Sequence, residues 1–175
     1  SCGQQPAQER GPRPVKLAEV ASLNKIEKSY SGVVSPDQFS DLAFKMSGPL
    51  VAMNVLEGQR VKKGEVVAEI DPTDYKLDYD AKRASFQKAS SQMQRAEKLL
   101  MKNAISMQEF ETTQASYTNA KSAFENAQNT LNDTKLRAPF DGFIQKKYVE
   151  NYQRVNSGEG IVQLVNTHNL RIKFT

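Results

Sequence analysis

The chain states one phrase twice. Residues 58–65 read GQRVKKGE and residues 152–159 read YQRVNSGE, and a shift that carries Gly48 onto Gly142 aligns the flanking segments without a gap. Under that shift Val55 meets Val149, Gln59 meets Gln153, Arg60 meets Arg154, Val61 meets Val155, Gly64 meets Gly158 and Glu65 meets Glu159. Leu50 also pairs with Ile144, and Ile70 with Leu164, which makes this an internal repeat. Each copy reads as short β-strands joined by turns: PLVAMNV and EVVAEI are apolar and β-branched, and glycine stands where a turn needs positive φ. Val61, isolated between polar neighbours, is expected to point inward. A unit of about 25 residues cannot bury an apolar face alone. Two copies packed face to face can. One pair departs from the pattern: Tyr152 stands opposite Gly58, so that turn is expected to differ, with Asn151 taking the positive φ that asparagine tolerates.

The copies are separated by residues 73–138, which hold neither glycine nor proline and are rich in Ala, Lys, Gln, Glu and Leu, good helix formers. Asp71-Pro72 predicts an N-cap followed by proline at the first helical position, with Asp74 placed to complement the helix dipole. Steps of four and three give an apolar seam through Tyr75, Tyr79, Lys82, Phe86, Ala89, Met93, Ala96 and Leu100, broken by Lys82. A second seam runs through Phe110, Thr113, Tyr117, Ala120, Phe124, Ala127, Leu131 and Thr134. Between them Ser106 and Glu109 form an S-x-x-E capping box, and Ile105 and Phe110 have the spacing of a hydrophobic staple. One helix is therefore predicted to end near Lys102 and the next to begin at Met107, and the short link makes them antiparallel neighbours. Each helix of about 28 residues gives an arm roughly 42 Å long. The second helix is expected to end before LRAPFDG, because Pro139 cannot continue it. The sandwich halves are thus pulled apart in sequence by a coiled-coil arm.

Composition fits an elongated chain. Only 38% of the 175 residues are hydrophobic, below the roughly 45–50% of ordinary globular domains, and there is no Trp. The net charge of +4 is spread along the chain among Asp and Glu, as on a solvated surface rather than a nucleic-acid footprint. No apolar run approaches the roughly 18–20 residues of a membrane span. The single histidine, His168, and the single cysteine, Cys2, give no metal-ligand spacing, and Asp74, Asp78 and Asp80 sit where helix-opening carboxylates belong. No catalytic, cofactor or metal site is expected, and not an enzyme. Cys2 precedes GQQPAQERGPRP, a polar stretch that reads as a disordered tether over residues 1–14. Two readings stand for it: a lipid-modified amino-terminal cysteine, or an unmodified thiol.

The half-motif itself, V-x-E-G-x-x-V-x-x-G followed by an apolar strand, resembles the halves of lipoyl and biotinyl carrier domains. In such carriers a tight hairpin bearing a modified lysine joins the halves. Here the coiled coil takes its place, and Lys45-Met46, which superficially matches a biotinylation motif, lies before the first half. A carrier domain of a multienzyme complex is therefore the weaker alternative. The arrangement of lipoyl half, helical hairpin and lipoyl half resembles the periplasmic adaptors, or membrane fusion proteins, of bacterial tripartite efflux pumps, the HlyD-like family. SGVV, LAFKMSGPL, VLEGQRVKKGEVVAEIDPTDY and DTKLRAPFDGFI stand where that family has similar segments.

The resemblance implies an α+β fold: a lipoyl-like β-sandwich at residues 45–71 and 137–167, a hairpin at 72–136, and partial strands of an adjacent β-barrel at 15–44 and 168–175. It implies that family members continue beyond this stretch. It implies a periplasmic location with Cys2 as inner-membrane lipid anchor, and an adaptor between an inner-membrane pump of the resistance-nodulation-division (RND) type and an outer-membrane channel, assembled as about six copies. Arg95, Leu99 and Ser106 match the R-x-x-x-L-x-x-x-x-x-x-S pattern with which such hairpin tips contact the channel. The bland alternative makes Ser106 an N-cap, Leu99 a cover for the staple and Arg95 a solvated residue. Within the same class, an adaptor of an ABC-type exporter or type I secretion system is the runner-up, disfavoured by the modest helix length.

Overall fold

The structure, a computed structural model, describes residues 38–167. Within them eight strands form two four-stranded antiparallel sheets, and two helices leave the sandwich between its fourth and fifth strands. The strands are β1 (Phe39–Ala43), β2 (Gly48–Met53), β3 (Arg60–Val61), β4 (Val66–Ile70), β5 (Lys135–Arg137), β6 (Gly142–Lys147), β7 (Arg154–Val155) and β8 (Gly160–Asn166). One sheet runs β1-β8-β6-β3 and the other β5-β4-β2-β7. Leu42, Phe44, Ile144, Val162 and Leu164 from the first and Leu50, Val67 and Ile70 from the second are buried in one shared core. Val61 is buried there, as its isolation predicts.

The repeat is written into the hydrogen bonds. The Gly58 N–H donates to the Ile144 carbonyl at 2.7 Å, and Tyr152, the mate of Gly58, donates to Leu50, the mate of Ile144, at 2.7 Å. Ile144 N–H returns a bond to Gln59 and Leu50 N–H one to Gln153, both at 2.9 Å. In each half a glutamine side chain closes the turn, Gln59 accepting from Leu56 at 3.0 Å and Gln153 from Glu150 at 3.3 Å. A glutamate closes the next, Glu65 accepting from Lys62 at 3.0 Å and Glu159 from Asn156 at 2.9 Å. Short strand β3 pairs with β6 of the other half, and β7 with β2. Neither half owns its sheet.

The repeat reaches further upstream than Gly48. Strand β1 pairs with β8 as β5 pairs with β4: Leu42 faces Val162 where Leu136 faces Ala68. Residues 39–44, expected in the adjacent barrel, therefore belong to the sandwich, because β1 completes the second half as β5 completes the first. Lys135 and Leu136, expected at the end of the hairpin, likewise stand in β5. The remaining expected barrel segments, residues 15–37 and 168–175, the tether with Cys2, and His168 lie outside the described residues.

The Tyr152 turn keeps the geometry of its mate. Asn151 does not take the left-handed conformation; Tyr152 does, at φ 68, against φ 88 for Gly58. The shared pattern of backbone bonds fixes the turn, and the side chain bears the steric consequence, about 1–2 kcal/mol for a residue with a Cβ.

Helix α1 spans Thr73–Met101 and α2 Met107–Asn132. Pro72, not Asp71, occupies the cap position, its carbonyl accepting from Lys76 at 2.8 Å. Asp71 caps from one residue back: its Oδ1 accepts the Thr73 N–H at 3.0 Å and the Thr73 hydroxyl at 2.6 Å. These bonds, the hydroxyl foremost, hold the Asp71 carboxyl below the usual carboxylate range. The helices run antiparallel, since Tyr79 meets Phe124 at 5.4 Å while Phe86, further along α1, meets Tyr117, earlier in α2, at 5.7 Å. Every residue of both predicted seams is buried or half-buried, Lys82 included, which bonds Asp78 at 2.8 Å. At the root the Ile70 N–H reaches the Thr134 carbonyl at 3.0 Å and the Tyr75 hydroxyl the Ser47 carbonyl at 3.1 Å, tying arm to sandwich.

Two glycines at equivalent positions differ in necessity. A Cβ on Gly142 would lie 2.0 Å from the Val165 carbonyl oxygen, because β8 runs on past the point where its counterpart β4 turns into α1. On Gly48 it would meet only Ile70, at an ordinary 3.5 Å. Gly142→Ala is expected to cost about 3 kcal/mol or more through forced backbone displacement, whereas Gly48→Ala is expected to be neutral or to stabilise by about 0.5–1 kcal/mol. Equilibrium denaturation of the two variants checks the contrast.

Candidate functional site

At the far end of the arm, α1 stops by backbone geometry. The Asn103 N–H donates to the Leu100 carbonyl at 3.0 Å and the Ala104 N–H to Leu99 at 2.8 Å, with Asn103 left-handed at φ 55. This is a Schellman arrangement with asparagine in the position usually given to glycine. The chain then reverses through Ile105, half-buried, into Ser106, whose Oγ accepts the Glu109 N–H at 3.0 Å. Ser106 sits at φ −78 and ψ 159, the extended cap conformation, and its carbonyl accepts from Phe110 at 3.0 Å. The N-cap half of the predicted capping box is thus formed, and Ile105 and Phe110 are both half-buried, as a staple requires.

Of the three residues with the tip-motif spacing, Arg95 and Leu99 share a groove of about 310 Å³ between the helices, with Gln92 on α1 and Ile105, Glu109 and Thr112 on the other side. Ser106 adjoins that groove between Ile105 and Glu109, its oxygen engaged as a cap. Arg95 is exposed and Leu99 is 41% exposed, so a guanidinium and an isobutyl group are presented side by side to whatever meets the tip. Met101 and Met107 flank the link and are 84% and 57% exposed. Sequence reasoning missed these two. Their signal was available: both lie off the seams at helix ends, where an apolar side chain has no packing partner. Exposed apolar groups gathered at a protruding end suit a contact surface, and methionine adapts its shape to a partner.

Lys45, the residue that a carrier reading would modify, lies 3.7 Å from Asp133 at the arm's root, away from the tip. Among the described residues no group of three His, Cys, Asp or Glu could hold a metal ion, and no helix is long and apolar enough to cross a membrane.

This geometry has counterparts among known proteins. The family model for the RND membrane fusion protein (MFP) barrel-sandwich hybrid domain matches residues 39–167. A crystal structure of a Bacteroides eggerthii protein assigned to efflux transport is 52% identical, superposes with a TM-score of 0.73, and covers 78% of this chain and 41% of its own. A MacA-MexA chimera containing the Pseudomonas aeruginosa MexA α-hairpin domain is 33% identical, with a TM-score of 0.72, covering 77% of this chain and 50% of that one. The multidrug resistance protein MdtA of Escherichia fergusonii is 28% identical over 95% of this chain and 45% of its own length. The chain spans less than half the length of this curated relative.

Cap and groove separate by measurement. Ser106→Ala is expected to destabilise the protein by about 1 kcal/mol, and Ser106→Asp to retain the cap. Arg95→Ala, at an exposed position, is expected to stay within about 0.5 kcal/mol of the parent. Urea unfolding midpoints of the three variants test this assignment.

Proposed function

The chain belongs to the RND membrane fusion proteins, adaptors rather than enzymes, and from that membership we propose that it serves as the periplasmic adaptor of a tripartite multidrug efflux pump. In this reading it bridges an inner-membrane RND transporter and an outer-membrane channel. The observation that carries it is the exposed Arg95–Leu99 groove at the end of an arm inserted between two halves of one sandwich. An arm of 29 residues in α1 reaches about 43 Å from its root, far enough to carry a contact away from the sandwich.

We read the two sheets as a lipoyl-like sandwich split by a coiled-coil hairpin, supported by the duplicated hydrogen bonds and by the continuous seams of both helices. The channel contact is assigned to Arg95 and Leu99, with Ser106 acting through the cap that orients α2. Guanidinium groups suit this role because their planar fork can bond carbonyls or carboxylates on a partner helix while the adjacent leucine is buried. Several copies, six in the assembly the family resemblance implies, stand side by side around the transport axis. Cys2 is proposed as the lipid anchor at the inner membrane, where more than one acyl chain gives stable attachment. No cofactor takes part.

In the full-length protein, Arg95→Asp is expected to abolish chemical cross-linking between the tip and the channel and to restore drug sensitivity to cells that rely on the pump, without changing expression or thermal stability. Unchanged cross-linking and resistance would remove Arg95 from the contact.

A further inference from the structure

The chain holds five methionines, and the fold sorts them by position. Met93 is buried in the seam of the arm, and Met46 and Met53 are partly buried against the sandwich core. The other two, Met101 and Met107, are exposed. Met101 is the last residue of α1 and Met107 the first of α2. Both thioethers that the fold leaves in solvent therefore stand at one place, on either side of the link at the arm's tip.

Neither side chain takes part in building that tip. Helix α1 is closed by backbone bonds, from Lys102 and Ala104 to the Leu99 carbonyl and from Asn103 to that of Leu100. Helix α2 is opened by the Ser106 oxygen on the Glu109 N–H. The link is filled from inside by Ile105 and Phe110, both half-buried. A change in either thioether thus alters the surface of the tip and leaves its frame standing. That surface depends on them, since Leu99, Met101 and Met107 are the large apolar side chains exposed there.

A thioether in solvent is open to two-electron oxidation, from which packing shields a buried one. Hydrogen peroxide gives the sulfur one oxygen: the O–O bond breaks, the sulfur loses two electrons and forms an S–O bond, and the other peroxide oxygen leaves as water. The sulfoxide has nearly the same shape but is polar, which disrupts methionine-rich contacts. Two thiols reverse the step, joining as a disulfide while the sulfoxide oxygen leaves as water.

We propose that Met101 and Met107 form a reversible oxidation site, and that their conversion to sulfoxides by a peroxide releases the arm from the channel. This deepens the adaptor reading and rests on it, because the tip matters only if something covers it. In the free protein both side chains are hydrated in either state, so oxidation leaves folding unchanged. In the docked state a sulfoxide gives up its water for an apolar contact, which opposes docking. Where several arms engage one channel, a modest loss at each tip multiplies.

The test oxidises the purified full-length protein with hydrogen peroxide, removes the oxidant with catalase, and then adds outer membranes from cells that rely on the pump, so that the channel itself is never oxidised. Peptide mass spectrometry is expected to find one added oxygen on Met101 and on Met107 well before Met46, Met53 or Met93, at an unchanged melting temperature. Chemical cross-linking of tip to channel is expected to fall about tenfold, and methionine sulfoxide reductase with dithiothreitol to restore it. Met101→Leu combined with Met107→Leu is compared only with its own untreated sample, and peroxide is expected to leave that ratio near unity. Oxidation of all five methionines at equal rates, cross-linking that survives peroxide, or a loss that the reductase does not reverse overturns the site. The untreated parent separates the two readings. Cross-linking present there but insensitive to peroxide overturns the oxidation site alone, whereas its absence there removes the adaptor reading and the site with it.

Discussion

The structure depends on an exchange of backbone hydrogen bonds between two copies of one sequence. Each half contributes a two-residue strand to the other half's sheet, β3 to β6 and β7 to β2, and the turns before these strands are pinned by the partner's Ile144 and Leu50. Backbone groups buried in such a core cost free energy if left unpaired. A single half would expose them together with half an apolar core. The exchange makes the sandwich one cooperative object even though two helices and their link stand in the chain between β4 and β5. It also explains how the arm can be inserted. The chain leaves at Ile70 and returns at Thr134, and those two residues are hydrogen-bonded at 3.0 Å, so the insertion closes a loop whose ends the sheet already holds together.

Pseudo-symmetry of this kind gives an internal control for every residue. Where both halves carry the same residue in the same bond, as with Gln59 and Gln153 or Glu65 and Glu159, the requirement is the turn itself. Where they differ, the difference has a local cause. Gly160 replaces Val66, and the Tyr148 ring lies 3.5 Å from where its Cβ would be, covering the bare strand while its hydroxyl bonds Asp41 at 2.9 Å. Partial burial, with the Asp41 carboxylate beside it, pushes the Tyr148 phenol up. Tyr152, opposite Gly58 and 82% exposed, has no such internal cause, which is what sets it apart.

Much of this was legible in the sequence for physical reasons that can be named. The repeat was visible because identical turns need identical residues. The seams were visible because two packed helices bury every third or fourth side chain, and Ser106 because capping draws on few residue types. Other features were hidden. Strand β1 shares little with its counterpart β5 beyond Leu42 and Leu136, since edge strands of three to five residues place few demands on their side chains. The left-handed Tyr152 was misassigned to Asn151 because propensity favoured asparagine, whereas partner bonds on the turn decided the matter. The end of α1 near Lys102 was legible, but the left-handed Asn103 that closes it was not singled out. The clefts at the root could not be read at all: Asp71 and Arg154, for example, line one cleft only because the two halves have folded together.

A common logic links the tip and the root. Rings fill the seam over the part of the arm nearer the sandwich, Tyr79 and Phe86 on Phe124 and Tyr117, and the buried α1 positions beyond them are Ala89, Met93 and Ala96. The seam consumes one face of each helix, and the caps consume the polar groups of the link. What remains unspent at the tip is Arg95, Leu99 and the two methionines, and at the root Asp74 and Tyr152. None of these contributes a buried side chain to the core, and the backbone at Tyr152 is strained to present its ring. Ser106 belongs to the opposite class, because its oxygen is fully accounted for by the helix it starts. Side chains left over after folding are the ones available to hold neighbours, and here they collect at the two ends of the arm.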